Sequence, residues 1–163
     1  MKDFPSSIET YDGTRAMVFG ASGFIGRWVA RDLCARGARV ALVVRDKRMA
    51  EAIFAMHAIR GDDCELDMQY FAAVGKLLKS VQPAIVFNLA GYGMDRAEVD
   101  DRTAYRINAH LLEVVIETLR RWQKDRTRND QGSELSMWGG LSIMAPSAAA
   151  CPRIFCLFQP YWL

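Results

Sequence analysis

The composition is that of an ordinary water-soluble domain and excludes some classes of function. Of the 163 residues, 51% are hydrophobic and 25% are charged, which is typical of globular proteins. The net charge of +2 gives no strong field to attract nucleic acid or a membrane surface. We therefore expect neither nucleic acid nor a membrane among the partners.

The four cysteines and two histidines offer no metal site. No two cysteines form a CxxC pair, and neither histidine lies near a cysteine in the sequence. The first residues lack the apolar core of a signal peptide, and no stretch of about 18 apolar residues occurs. These observations favour a cytoplasmic location with reduced cysteines.

Residues 1–14 predict a loose N-terminal arm, and residues 15–122 predict one domain in which strands alternate with helices. Four apolar segments predict the strands, near 16–20, 39–44, 63–67 and 84–90. Strand–helix alternation of this kind is typical of a parallel sheet whose right-handed crossover connections place helices on both faces. The predicted fold is α/β, a Rossmann-like doubly wound sheet that is truncated at its C-terminal side.

The helices have recognisable ends and apolar faces. Asp46 is a predicted N-cap for a helix in which Met49, Ile53 and Met56 recur at helical spacing. Further along the chain, a long amphipathic helix is predicted to end near Trp122.

The pattern changes over residues 123–163. A polar run is followed by an apolar segment without helical or strand periodicity, interrupted by prolines, in which Leu141–Met144 is the one strand candidate. We expect this tail to be poorly ordered. An incomplete sheet would leave an open edge through which the protein could self-associate.

The motif Gly20-Ala21-Ser22-Gly23-Phe24-Ile25-Gly26 lies between the first strand and the first helix. In such a loop the first glycine permits a tight turn, the second lets the backbone approach a pyrophosphate, and the third packs the helix against the strand. The helix N-terminus adds unpaired N–H groups for the phosphates. The motif and its context predict nucleotide binding.

This GASGFIG motif resembles the fingerprint of the extended short-chain dehydrogenases, the NAD(P)-dependent epimerase/dehydratase family. NLAG, residues 88–91, resembles the family's motif on the fourth strand, and YRINAHLLEVV, residues 105–115, resembles its next helix. The resemblance covers residues 15–122. It implies that the cofactor contacts Gly20, Ser22, Gly23, Phe24, Ile25 and Gly26 in the first loop and Leu89, Ala90 and Gly91 after the fourth strand. Asn108 matches a recurring asparagine of the family, either as a site residue or as a buried helix amide.

The end of the second strand bears on the choice between NAD and NADP. Arg45 stands where the dihydroflavonol-reductase-like branch of the family carries an arginine for the 2′-phosphate of NADP, and Arg48 is close in sequence. Asp46 is accounted for as a helix cap. The resemblance therefore implies NADP, with NAD the less favoured cofactor.

Asp67 and Met68 resemble the family's pair after the third strand, where the carboxylate meets the adenine amino group. Asp67 is equally suited to cap a helix from Gln69 onward, and Glu65 could take the adenine role if the register differs by two. These alternatives stay open at the level of the sequence.

The family's catalytic Tyr-x-x-x-Lys pair has no match. The residues four positions after Tyr11, Tyr70, Tyr92 and Tyr105 are Arg15, Val74, Arg96 and Ala109, and Tyr161 lies too close to the end. Ser142 and Ser147 are best interpreted as loop serines. We therefore predict no catalytic residue in this chain.

Three hypotheses account for the whole chain. The preferred one is a catalytically incomplete fragment of an epimerase/dehydratase whose reading frame was lost near Gln123. In the intact relative, the substrate implied by the resemblance is a nucleotide sugar or a small carbonyl compound. The alternatives are a stand-alone NADP-binding or sensing module without catalysis and, less favoured, a reductase completed by a partner chain.

Overall fold

A parallel five-stranded sheet forms the centre of the fold, with strand order β3-β2-β1-β4-β5. The computed structural model describes residues 10–93, 100–133 and 153–156, with side chains described for 10–93 and 100–125. The strands are β1 (Arg15–Phe19), β2 (Arg39–Val44), β3 (Asp62–Glu65), β4 (Ile85–Asn88) and β5 (Arg153–Cys156). The first four match the predicted strands, which confirms the predicted parallel α/β sheet.

The helices connect the strands in chain order. They are α1 (Gly26–Ala35), α2 (Lys47–Met56), α3 (Phe71–Val81), α4 (Asp101–Tyr105) and α5 (Leu111–Ser133), and a π-helical turn, Arg106–His110, joins α4 to α5. No described helix is long and apolar enough to cross a membrane.

One face of the sheet is covered by α1 and α2. Leu33 of α1 and Phe54 of α2 are buried there against Val18 of β1 and against Val40 and Leu42 of β2. The alternate residues of the same strands point to the other face, because successive side chains of a strand alternate.

The second face is covered by α3 and α5. Phe19 of β1 and Val86 of β4 pack there with Leu78 of α3 and with Leu111 and Val115 of α5. Both faces of β1 and β2 are therefore buried, which explains their continuous apolar sequences.

Two helix ends follow the sequence pattern. The Asp46 side chain accepts a hydrogen bond from the Met49 N–H at 3.0 Å, which confirms Asp46 as the N-cap of α2. At the end of α1, Gly37 has φ +86°, and the Ala38 N–H donates to the Leu33 carbonyl. This is the left-handed termination that glycine favours.

Helical spacing alone is a wrong guide to the buried face of α2. Met49 and Met56 are 71% and 80% exposed, whereas Ala50 and Phe54 are buried. The helix carries apolar residues on several sides, so helical spacing alone does not select the buried stripe. The small side chain of Ala50 lets α2 approach the sheet closely, and the ring of Phe54 packs into the core beside it.

The predicted end of the last helix near Trp122 is also wrong, because α5 continues to Ser133. Residues 123–131 contain neither glycine nor proline, and polar residues can extend a helix beyond the surface that it packs on.

The fifth strand lies at Arg153–Cys156, parallel to β4, with Ile85 paired to Arg153. From the sequence pattern, the strand candidate in this part of the chain is Leu141–Met144. That segment lies outside the described residues, as does the rest of the tail apart from α5 and β5.

The described part of the N-terminal arm is attached to the domain. The Tyr11 N–H donates to the Arg36 carbonyl at 2.8 Å, and the Tyr11 ring packs against the core beside α1. Residues 1–9 lie outside the described residues.

Candidate functional site

A cavity of about 1110 Å³ opens at the carboxyl ends of β1, β2, β3 and β4. The chain runs from β1 outward to β3 and then returns to β4 on the other side of β1. Loops diverge at such a reversal of strand order, and the crevice between them is where open parallel sheets bind ligands.

The first glycine of the loop after β1 is required by its conformation and by its neighbours. Gly20 has φ +72°, and a Cβ there would lie 2.9 Å from the Leu89 carbonyl oxygen and the Ala90 nitrogen. The loops after β1 and β4 are thus in backbone contact at the centre of the cavity. Gly26 is constrained differently, because a Cβ there would lie 2.0 Å from the Gly20 carbonyl oxygen.

The N-terminus of α1 faces the cavity with free donors. Ser22, Phe24 and Ile25 line the cavity, and in the described part of the chain their N–H groups have no backbone acceptor. No side chain caps this helix end. Unpaired N–H groups and the positive end of a helix dipole are suited to bind an anion such as a phosphate.

Arg45 lines the cavity at the end of β2 and is exposed. Within the described residues its guanidinium has neither a hydrogen bond nor an ion pair, whereas neighbouring Asp46 is occupied by the Met49 N–H. Arg48, predicted as a helper, is also exposed but is not part of the cavity wall. Among the described residues that line the cavity, Arg45 is thus the one with a basic side chain.

The structure separates the alternatives for the third strand. Asp67 and Met68 line the cavity, while the Glu65 carboxylate accepts from the Lys47 N–H at 3.3 Å. The Asp67 carboxylate accepts from the Gln69 N–H at 3.0 Å, but α3 begins later, at Phe71. Asp67 therefore stabilises a turn beside the cavity and is not the N-cap of α3.

Two asparagines shape the end of β4. Asn88 is 6% exposed and lines the cavity, and its Oδ1 has no hydrogen-bond partner among the described residues. The Asn108 side chain receives a hydrogen bond from the Tyr92 N–H and donates one to the Tyr92 carbonyl, both at 3.0 Å. Asn108 therefore both lines the cavity and fixes the loop after β4.

The far wall of the cavity consists of α4, the π-helical turn and the start of α5. No residue of this wall was predicted to belong to the site, apart from the open alternative for Asn108. It contributes Asp101, Thr103, Ala104, Tyr105, Ile107, Asn108, Ala109 and Leu112. The acidic and aromatic residues that precede Asn108 in the sequence could have indicated this wall. A π-helical turn changes the helical spacing, however, and so changes which of these residues face the cavity.

α4 begins with its own cap at the edge of this wall. Asp100 accepts hydrogen bonds from the Arg102 N–H and the Thr103 hydroxyl. The bond from Thr103 holds the pKa of Asp100 below its ordinary value. The carboxylate thus stays ionised at neutral pH and fixes the first turn of α4.

The predicted cofactor-contact residues converge on this cavity, with one exception. Gly20, Ser22, Gly23, Phe24, Ile25, Arg45, Asp67, Met68, Leu89, Ala90 and Gly91 all line it. Gly26 lies behind the loop against the Gly20 carbonyl and supports it. Contact between these residues and a cofactor stays a prediction.

Two tyrosines in the cavity wall are the residues to consider as proton donors in catalysis. Tyr92 and Tyr105 line the cavity, and the described lining contains no lysine or histidine. Ala109, four residues after Tyr105, lies in the same wall, while Arg96, four after Tyr92, is outside the described residues. The described cavity wall thus offers no lysine to pair with either tyrosine.

The described thiols offer no alternative nucleophile. Burial raises the pKa of Cys34, and burial together with Asp62 and Asp63 raises the pKa of Cys64. Raised pKa values keep both thiols protonated at neutral pH, and protonated thiols are poor nucleophiles. In the described part of the chain, no group of histidine, cysteine and acidic residues could hold a metal ion.

The parallel sheet, the glycine loop and the cavity at the strand-order reversal define a dinucleotide-binding α/β protein. The model of the NAD dependent epimerase/dehydratase family matches residues 16–129. The chain belongs to this family, which confirms the predicted membership. A search of curated protein sequences gave no match.

Solved short-chain dehydrogenases share the fold. One from Burkholderia cenocepacia J2315, in complex with NADP, is 27% identical, with a TM-score of 0.57 over 69% of this chain and 52% of that one. One from Mycobacterium marinum is 19% identical, with a TM-score of 0.59 over 72% and 53%, and shows the fold alone. The chain spans about half the length of these relatives.

Proposed function

We propose that this chain binds NADP in the cavity and corresponds to the cofactor-binding part of an epimerase/dehydratase-type protein. The observation that carries the proposal is the free, cavity-lining N-terminus of α1 next to Arg45. Family membership favours this function over a stand-alone sensing module.

The residues of the cavity fit a dinucleotide. The N–H groups of Ser22, Phe24 and Ile25 would receive the pyrophosphate, and the turn at Asp67 and Met68 would receive the adenine. The buried Asn88 Oδ1 offers an acceptor to a bound ligand. Bound NADP would supply hydride-transfer chemistry at its nicotinamide ring.

Arg45 supports NADP over NAD. A guanidinium can form two hydrogen bonds with the oxygens of a 2′-phosphate, a group that NAD lacks. The exposed position of Arg45 and its lack of a described partner leave it available for this role.

We expect Arg45→Ala to weaken NADP binding by about 1.5–3 kcal/mol, the scale of hydrogen bonds to charged groups, and to change NAD binding little. Calorimetric titration of both cofactors against both proteins measures this. The matched control is Arg39→Ala, which removes an exposed arginine from the opposite end of the same strand. Equal losses for NADP and NAD would show that Arg45 does not recognise the 2′-phosphate.

Gly23→Asp tests the cavity as the nucleotide site. A Cβ at Gly23 meets only the Gly20 carbonyl oxygen, at 3.1 Å, and a carboxylate near a helix N-terminus favours the fold. The same carboxylate would repel a phosphate, and like charges in contact cost several kcal/mol, so NADP affinity should fall by more than about 100-fold.

Gly23→Asn is the control for volume, since it adds a side chain of nearly the same size without charge. The affinity loss of Gly23→Asn should be smaller than that of Gly23→Asp, while both variants should lose a similar, modest amount of stability, because either Cβ would lie 3.1 Å from the Gly20 carbonyl oxygen. Undiminished NADP binding by folded Gly23→Asp would place the nucleotide elsewhere.

In the intact relative, the proposed substrate is a nucleotide sugar or a small carbonyl compound, and this chain by itself is proposed to be catalytically incomplete. The absence of a Tyr-x-x-x-Lys pair from its 163 residues supports the second point. A cytoplasmic location stays a proposal. Self-association through the open sheet edge stays a prediction.

A further inference from the structure

The turn between β3 and α3 is held by hydrogen bonds of its own. The Gln69 N–H donates to the Asp67 carboxylate, and the Tyr70 N–H donates to the Asp67 carbonyl, both at 3.0 Å. These bonds fix the shape of the turn but do not fix its position relative to the opposite wall of the cavity. Asp67, Met68 and Gln69 all line that cavity.

Arg106 reaches this turn from the opposite wall. Its Nη2 donates to the Gln69 carbonyl at 2.7 Å, and its guanidinium lies over the Phe71 ring, 4.8 Å from the ring centroid. A planar guanidinium can bond in its plane and stack on an aromatic face at once, which an ammonium group cannot do. Arg106 therefore connects the π-helical turn to the C-terminal end of the β3–α3 connection and to the first residue of α3.

The position of Arg106 is not explained by an ion pair. No carboxylate of the described residues forms an ion pair with it, although it is half-buried. Two residues further on, Asn108 holds the loop after β4 through Tyr92. The two side chains thus connect the same π-helical turn to two different loops of the cavity.

We propose that Arg106 is a positioning residue that holds the turn Asp67–Gln69 at the distance from the far wall that an adenine ring requires. The inference rests on the proposed function, because the ligand it concerns is NADP. Arg106 acts through the Gln69 carbonyl and the Phe71 ring, so it affects the adenine end of the ligand without touching its reactive end.

The test compares NADP with adenosine 2′,5′-bisphosphate, which carries the adenine and the 2′-phosphate but no nicotinamide. In Arg106→Ala, calorimetric titration should show both ligands weakened by about tenfold, equivalent to about 1.4 kcal/mol. Arg106→Lys, which keeps the charge but not the planar fork, should lose less. Arg120→Ala, an exposed arginine on α5 away from the cavity, should stay within about twofold of wild type.

Amide hydrogen exchange of the free proteins gives a second measurement. Arg106→Ala should speed exchange at Gln69 and Tyr70 while leaving the amides of β2 protected, because only the turn loses its anchor. If Arg106→Ala does not fold, the calorimetric titration and the hydrogen exchange are both measured on Arg106→Lys.

The inference is overturned if folded Arg106→Ala binds the bisphosphate as tightly as wild type, or if exchange at Gln69 is unchanged. A wild type that binds neither ligand would instead refute the proposed function. In that case the exchange measurement still decides whether Arg106 anchors the turn.

Discussion

A polypeptide of these 163 residues should not turn over any substrate with NADPH, even when it binds the cofactor. Hydride transfer to a carbonyl also needs a group that handles the proton at the substrate oxygen. Help of this kind contributes about 10²–10⁴-fold to a rate. The cavity tyrosines, Tyr92 and Tyr105, have no lysine four residues later, and the described lining holds none.

Substrate positioning adds to the expected deficit. Oriented binding supplies up to about 7–11 kcal/mol of a reaction barrier, and this chain spans about half the length of its solved relatives. NADPH oxidation against a panel of nucleotide sugars and small ketones should therefore match the rate without protein. The Gly23→Asp variant serves as the control for cofactor-dependent activity. Turnover that disappears in Tyr92→Phe or Tyr105→Phe would contradict the prediction and identify that tyrosine as the proton donor.

The second large effect concerns stability. We expect Gly26→Ala to lower the free energy of unfolding by about 3 kcal/mol, at the upper end of the cost of overpacking. Alanine is the better helix former by about 1 kcal/mol, but the added Cβ would lie 2.0 Å from the Gly20 carbonyl oxygen. That oxygen belongs to the backbone at the end of β1, so it cannot move aside without disturbing the strand. The steric cost therefore exceeds the gain in helix propensity.

Gly75→Ala is the matched control, since it makes the same change within a helix. The nearest atom to its Cβ would be the Thr118 hydroxyl oxygen at 3.7 Å, an ordinary contact. Helix propensity then decides, and the free energy of unfolding should rise by about 0.5–1 kcal/mol. Thermal unfolding measures both, with a loss of about 6–12 °C for Gly26→Ala. A Gly26→Ala protein as stable as wild type would show that the loop is not closely packed on α1.

The sequence was sufficient for those features that depend on local chemistry. The glycine loop, the Asp46 cap and the buried β2 each follow from residue types at fixed spacing. The residues predicted to contact a cofactor come from four separate loops. They were chosen because of the family resemblance, and they converge because parallel strands end at one edge of a sheet.

The remaining features depend on tertiary packing. Apolar residues lie on several sides of α2, and only contact with the sheet selects Ala50 and Phe54 as its buried face. Asn108, within the π-helical turn, forms two hydrogen bonds with the Tyr92 backbone, a partner that sequence spacing does not reveal. The far wall of the cavity was missed for the same reason.

The central place of β1 has a consequence for how the chain folds. Ala16 pairs with Val40 on one side and with Ile85 on the other, so the second pairing must wait until much more of the chain has been synthesised. Closing so long a loop slows folding. Until Ile85–Asn88 has left the ribosome, one edge of an apolar strand is unpaired, and such edges are where nascent chains associate wrongly. We therefore expect the yield of folded protein to fall as the time that the chain spends in this state increases.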